Sequence, residues 1–214
     1  MTIDDHLRLA AELCDRVVFE GDAGVLPQAD RALDAVEAAL VLARGRVLHA
    51  RFLDEHVSDP RELVLFERAA ELYEAVGDTR GLARARFHAG TFHQLVRGDN
   101  AAAGAEFARA RDLAEQAGDD LTLSYALRHM GVVAHQAGRL DEAREHLEES
   151  TRLRRAQGFP AGVAANLVGL AYLAHAQGRH DDTTALLDEA EALALSSNAH
   201  RIAGQIAQLR ANPQ

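Results

Sequence analysis

The chain repeats itself every forty residues, and that periodicity limits the fold more than any other feature. Gly98, Gly138 and Gly178 fall in register, followed by Ala103, Ala143 and Thr183; Phe107, Leu147 and Leu187; Ala110, Ser150 and Ala190; and Leu113, Leu153 and Leu193. A more divergent copy lies forty-one residues upstream, with Phe66, Ala69, Leu72 and Gly77 ahead of Phe107, Ala110, Leu113 and Gly118. Self-similarity at this spacing is the mark of a stacked repeat in which each unit packs only on its neighbours. The expectation is an all-α, right-handed α-solenoid of antiparallel helix pairs, read as a single domain over residues 1–214.

Each copy carries apolar residues at helical spacing, and each is closed by a glycine signal: Gly-Asp, Gly-Arg or Gly-Phe-Pro. The helices predicted from these signals are 60–76 with 79–97, 100–117 with 119–137, 140–157 with 160–177, and 180–196 with a capping helix over 199–210. Residues 1–58 carry a first helix near 3–20 and a long apolar stripe over 29–57. That stripe reads either as one helix or as two meeting near Gly45, and the segment as a whole either as a degenerate repeat or as a cap. Ile202, Ile206 and Leu209 put an apolar stripe on the last helix, which is either its inward face or an end-to-end contact in a homodimer.

With 33 acidic residues against 23 basic ones the net charge is −10, which disfavours the phosphate attraction on which nucleic-acid binders rely. All 23 basic residues are Arg and none is Lys, so Schiff-base and P-loop lysine chemistry are excluded. Cys14 is the single cysteine and cannot form an intramolecular disulfide; the expectation is a buried structural thiol on the first helix. The N-terminus, MTIDDHLRLA, lacks the basic and apolar segments of a signal peptide, and no stretch reaches membrane-spanning length. A cytoplasmic protein with no nucleic-acid and no membrane partner is expected.

The segment GVVAHQAGRLDEAREHLEES, residues 131–150, resembles the tetratricopeptide repeat. The resemblance rests on Gly131 in mid-helix, Gly138 at its close, Ala143 where the second helix packs closely, and then Leu147 and Ser150. It extends with defects to Gly90, Gly98, Ala103, Phe107 and Ala110 and to Ala171, Gly178, Thr183, Leu187 and Ala190, covering roughly residues 60–210. The forty-residue period resembles the longer repeats of kinesin light chains and of bacterial signal-transduction ATPase and peptide-sensing regulators. One copy departs from the pattern, because Gly90 to Gly98 is one residue longer than Gly131 to Gly138. A local bulge is expected there.

The resemblance implies a concave groove lined by the first helix of each pair. Carried onto this chain it selects Arg84, His88, Thr91 and His93; then Tyr125, Arg128, His129, Val132 and His135; then Asn166, Tyr172 and His175. Arg and His predominate, a chemistry suited to a carboxylate-bearing partner peptide. In this reading Arg84 and Arg128 clamp acidic groups while Tyr125 and Tyr172 supply flat contacts. The histidines are spaced five or six apart on their helices, against the three or four a zinc site needs, so no metal and no other cofactor is expected. No catalytic residues are assigned: hydrolase elbows and dinucleotide fingerprints are missing, and Asp141, Glu142, Asp181 and Asp182 read as helix-start charge. The expected function is a non-catalytic scaffold, regulatory in type, that holds a partner protein or peptide. The alternative is a sensor of small molecules or signal peptides, or an enzyme, with the groove closed into a pocket.

Overall fold

Left-handed residues punctuate the fold at nearly regular intervals. Gly98, Gly118, Gly138, Gly158 and Gly178 all take positive φ and are followed twenty residues later by Asn198 at φ 56°. Each ends a helix by the left-handed turn that a residue without a Cβ adopts most readily, and Asn is the usual substitute. The computed structural model describes residues 2–211. Among them run ten α-helices: α1 (Ile3–Glu20), α2 (Leu26–Glu55), α3 (Arg61–Val76), α4 (Thr79–Thr91), α5 (Asn100–Ala117), α6 (Asp120–Gln136), α7 (Leu140–Ala156), α8 (Pro160–Ala176), α9 (His180–Ser196) and α10 (His200–Ala211). No strand occurs among the described residues. From α3 onward the helix ends match the sequence expectation to within one residue, once α4 is counted together with the turn Phe92–Val96 that continues it. From α3 on the loops are two or three residues long, short enough to return the chain antiparallel.

The chain divides into two compact units, Met1–Gly118 and Asp119–Gln214. In the first, α1 lies on α2, and the most extensive packing joins α2 to α3 and α4 to α5. Small residues permit this closeness. A Cβ on Gly45 of α2 would stand 2.5 Å from the Phe66 ring of α3, and one on Gly90 of α4 would stand 2.5 Å from Phe107 of α5. The core gathers around Phe66, Leu72, Tyr73, Ala38 and Leu42.

The matching of Gly45 with Gly90, and of Phe66 with Phe107, answers the question the first 58 residues posed. α2 is one unbroken helix and α3 is its partner, so the pair is a complete repeat, with α1 covering it. The sequence disguised this because α2 ends at His56, in the left-handed region at φ 56°, rather than at a glycine. The following loop also runs to Pro60 and pushes Gly45 out of the forty-residue register. Likewise, the helices that pack most closely are not the hairpins taken in order from residue 60 but α2/α3, α4/α5, α6/α7 and α8/α9.

The extra residue after Gly90 is absorbed as expected of a bulge. Phe92–Val96 form a π-helical turn that continues α4, with Arg97 N donating to Phe92 O at 3.2 Å. A single inserted residue in a helix is accommodated by one such wider turn.

In the second unit the core runs through Val163, Leu167, Ala171, Leu187, Ala190 and Ile206. Ile206 is fully buried, and Ile202 and Leu209 pack against the same cluster. The stripe on α10 is therefore its inward face, and it offers no end-to-end dimer contact. Cys14, expected inside, is exposed, because α1 turns Ala10 and Leu13 rather than Cys14 toward its neighbour.

Two glycines in helix interiors make opposite predictions. Gly90→Ala drives a methyl into the Phe107 ring and lowers stability by about 1–3 kcal/mol, overpacking outweighing the gain in helix propensity. Gly204 of α10 has no atom within 4 Å of its Cβ position, and Gly204→Ala raises stability by about 0.5–1 kcal/mol. Urea titration followed by circular dichroism measures both.

Candidate functional site

The selected residues of the first unit come from α4 and its π turn, and they are more enclosed than a groove lining would be. Arg84 is exposed. His88 is half-buried, its ring stacked on Phe66 with centroids 5.3 Å apart and edge-on to Phe87 at 5.1 Å. Its Nδ1 is sealed from solvent without a hydrogen-bond partner. Burial, reinforced by the nearby charges of Arg46 and His49, pulls its pKa down to about 3. Thr91 is buried and its hydroxyl donates to His88 O at 2.7 Å. His93 sits in the π turn, edge-on to Phe92 at 6.0 Å, and its Nδ1 is likewise sealed without a partner.

Beside His88 lies a pair that sequence reasoning missed. His49 Nδ1 of α2 is 2.7 Å from Glu62 Oε1 of α3, and Glu62 is fully buried. Its second oxygen, Oε2, has no partner. Burial raises the Glu62 pKa, and the hydrogen bond from His49 partly opposes that rise. A signal was present: Glu62 stands forty-one residues before Ala103, at the position where the other repeats carry a small residue for close packing.

In the second unit the buried chemistry centres on an arginine that the sequence did not single out. Arg154 of α7 is 1% exposed. It donates from Nη1 to Gly162 O at 2.8 Å and to Asn166 Oδ1 at 3.0 Å, and from Nε to Ser124 Oγ at 3.3 Å. Its guanidinium lies over the Tyr125 ring at 4.9 Å and the Phe159 ring at 5.7 Å. Asn166 in turn donates to Ser150 Oγ at 2.8 Å, and Ser150 donates to Ser124 O at 2.6 Å, so α6, α7 and α8 are joined by one polar chain.

Arg128 belongs to the same network. Its Nη1 donates to Ala165 O at 2.6 Å and contacts Asn166 Oδ1 at 3.4 Å. Burial lowers the pKa of both arginines to about 10, and for Arg154 repulsion from Arg128 adds to it. Neither guanidinium has a carboxylate partner among the described residues. Arg128, Asn166 and Tyr125 therefore hold the repeats together, and Arg128 is not a free arm waiting for an acidic peptide. His129, Val132 and His135 are half-buried on α6.

Tyr172 and His175 are placed differently. They line a trough of about 920 Å³ whose other walls are His180, Thr183 and Thr184 of α9 and Gln205, Gln208 and Leu209 of α10. Tyr172 is 40% exposed. The rings of His175 and His180 meet edge-on, with centroids 5.6 Å apart. The floor is apolar, from Ala171, Leu187 and Leu209, and the rim carries amide, hydroxyl and imidazole groups. Arg210 at its edge is held by Asp188 at 2.6 Å and Glu191 at 3.1 Å, so the trough gains little positive charge from it. Among the described residues no group of three or more His, Cys, Asp and Glu is placed to hold a metal ion, and no helix is long and apolar enough to cross a membrane.

This architecture has recognisable relatives. Residues 88–156 match the tetratricopeptide repeat family model. Over 124 residues, 58% of the chain, the sequence is 35% identical to the regulatory protein AfsR of Streptomyces griseus, and the match spans 13% of that protein's length. The crystal structure of BtubC (BKLC) from P. vanneervenii aligns with a TM-score of 0.51 at 15% identity, covering 92% of this chain and 91% of that one, a likeness of fold. Gly90, Gly131, Phe107 and Leu147, which set the close helix contacts of α4/α5 and α6/α7, all lie inside the matched stretch. The chain is thus similar to tetratricopeptide repeats over residues 88–156 and is built as an all-helical repeat fold.

Proposed function

We propose that the protein is a non-catalytic interaction module of a regulatory kind, and that it holds a peptide segment of a partner protein in the trough of the second unit. The observation that carries this reading is the trough itself: an apolar floor, a rim of hydrogen-bonding groups and an exposed aromatic ring, Tyr172. A half-exposed tyrosine over an apolar floor is the composition of a binding hot spot, since the ring buries a large area while its hydroxyl stays hydrogen-bonded. Likeness to a regulatory protein over more than half of the chain supports the regulatory part. Arg128, Arg154 and Asn166 are spent on internal contacts, whereas Gln205 and Gln208 on the trough's rim are exposed. Because Arg128 is committed to α8, recognition there depends on aromatic and neutral polar contacts more than on an arginine clamp.

Peptide display against the purified protein, followed by calorimetry on a peptide carrying the enriched motif, tests this. The expected result is one recurrent motif whose affinity falls about tenfold or more in Tyr172→Ala, with helical circular dichroism unchanged. Binding that is indifferent to Tyr172→Ala and His175→Ala, or the enrichment of no motif at all, would overturn it.

A further inference from the structure

Large hydrophobic side chains that remain exposed are concentrated on the first three helices and the loop after α2, where ten of the fourteen among the described residues lie. On α2 they follow a rule. Leu26, Leu33, Leu40 and Val47 are seven residues apart and 42%, 45%, 51% and 52% exposed. Residues seven apart lie within about 20° of one another on a helix, so the four form one stripe, the seam of a coiled coil. It points away from Ala38, Leu42 and Gly45, which face α3 two positions off, about 200° round the helix. The structure thus spends one face of its longest helix on a repeat and leaves the opposite face apolar and bare.

A second observation says what fits there. Four residues beyond each member of the stripe stand Asp30, Glu37, Arg44 and Arg51, again seven apart, along a single flank. The flank is acidic in its first half and basic in its second. Asp30 and Arg44 make no ion pair within the described residues, whereas exposed arginines elsewhere, such as Arg139 and Arg152, sit 2.7 and 2.6 Å from a carboxylate of their own chain. When two identical helices pair antiparallel about a two-fold axis, a flank meets its own counterpart running in reverse. With Leu33 opposite Leu40, Asp30 of one copy then faces Arg44 of the other, twice over by symmetry, while Glu37 lies near the axis and is already held by Arg68 of its own chain at 2.9 Å. Parallel pairing would set this flank against Ala32, Ala39 and Arg46 instead and leave the acidic half unmatched.

We infer that the outer face of α2 is a self-association surface, on which a second copy of this chain packs antiparallel through Leu26, Leu33, Leu40 and Val47. The arrangement is isologous, so it closes at two copies and leaves the trough of the second unit free of the interface residues.

Sedimentation velocity on the full chain, from roughly 1 to 100 µM, tests the inference. The expected mass rises with concentration from the 23.1 kDa of one copy to twice that value. Leu33→Glu with Leu40→Glu, both at exposed positions, should hold the mass at one copy with the same helicity. Asp30→Arg, or Arg44→Glu, should each weaken association about tenfold, and the two together should restore it. A wild type that stays at one copy throughout, or a dimer untouched by the leucine changes, would overturn the inference. So would a dimer that responds to the leucines while the combined charge exchange fails to restore what each half loses.

Discussion

Arg154→Ala is expected to lower the stability of the second unit by about 2–4 kcal/mol, whereas Arg152→Ala and Arg155→Ala, two and one residues away on the same helix, change it by less than about 0.5 kcal/mol. The contrast follows from burial. Arg152 pairs with Glu149 at 2.6 Å and Arg155 with Glu189 at 2.6 Å, but in each pair both side chains are largely in water. Such pairs gain little, because solvent screens them and ordering two long side chains opposes them. Arg154 is sealed between the Tyr125 and Phe159 rings. Its removal leaves Gly162 O without its guanidinium donor, takes from Asn166 Oδ1 the closer of its two donors, and opens a cavity the length of an arginine stem. One term acts the other way, since the change also relieves repulsion between Arg154 and Arg128. The stranded acceptors and the cavity outweigh it, being worth about 1–3 kcal/mol each. Arg154→Met, which keeps the stem between the rings, should recover part of the loss. Urea unfolding read by circular dichroism decides the matter, and a loss below about 1 kcal/mol for Arg154→Ala would remove Arg154 from the centre of the unit.

Acid should destabilise the first unit through His88. The folded protein keeps that imidazole neutral down to about pH 3, while in the unfolded chain it takes up a proton near the ordinary imidazole value of about 6.5. Between those values the unfolded state binds more protons than the folded one, so stability rises with pH across the window and is lost as pH falls through it. One group of this kind contributes a slope of up to about 1.4 kcal/mol per pH unit. His88→Phe keeps a ring against Phe66 and should flatten the dependence by that amount while leaving stability at pH 7.5 nearly unchanged. Glu62 acts in the opposite sense, because its pKa is raised: its contribution is present at low pH and fades as pH climbs through the folded value. Comparing wild type with His88→Phe from pH 7.5 to 4 isolates the histidine, and identical slopes for the two proteins would refute its role.

The proposed trough and the proposed self-association face ask different things of the chain. The first uses side chains of α8, α9 and α10, and the second a face of α2. Tyr172→Ala should therefore leave the sedimenting mass alone, and Leu33→Glu with Leu40→Glu should leave peptide affinity alone. The two readings stand or fall separately.

How much of this was legible in the sequence varies element by element. From α3 onward the helices were readable to within a few residues, because every boundary is a local event: a left-handed glycine, a capping aspartate such as Asp78 or Asp99, a proline at Pro160. The π turn was equally local, a single extra residue between Gly90 and Gly98. The first 58 residues were left open between a degenerate repeat and a cap because His56 takes the conformation that glycine takes elsewhere, and nothing in a histidine announces it. Of the groove residues, Tyr172 and His175 share a trough, while Arg128 and Asn166 proved to be internal struts.

The repeating positions of glycine, alanine and large apolar residues by themselves determined the class of fold and the helix boundaries from α3 onward, because each depends on residues near in sequence. Only the tertiary structure decided which member of Arg152, Arg154 and Arg155 is buried, that Glu62 meets His49, that Cys14 faces outward, and that Leu26, Leu33, Leu40 and Val47 are left bare. Those outcomes depend on which face of a helix its neighbours cover, and a periodic sequence specifies the faces without saying which of them will be covered.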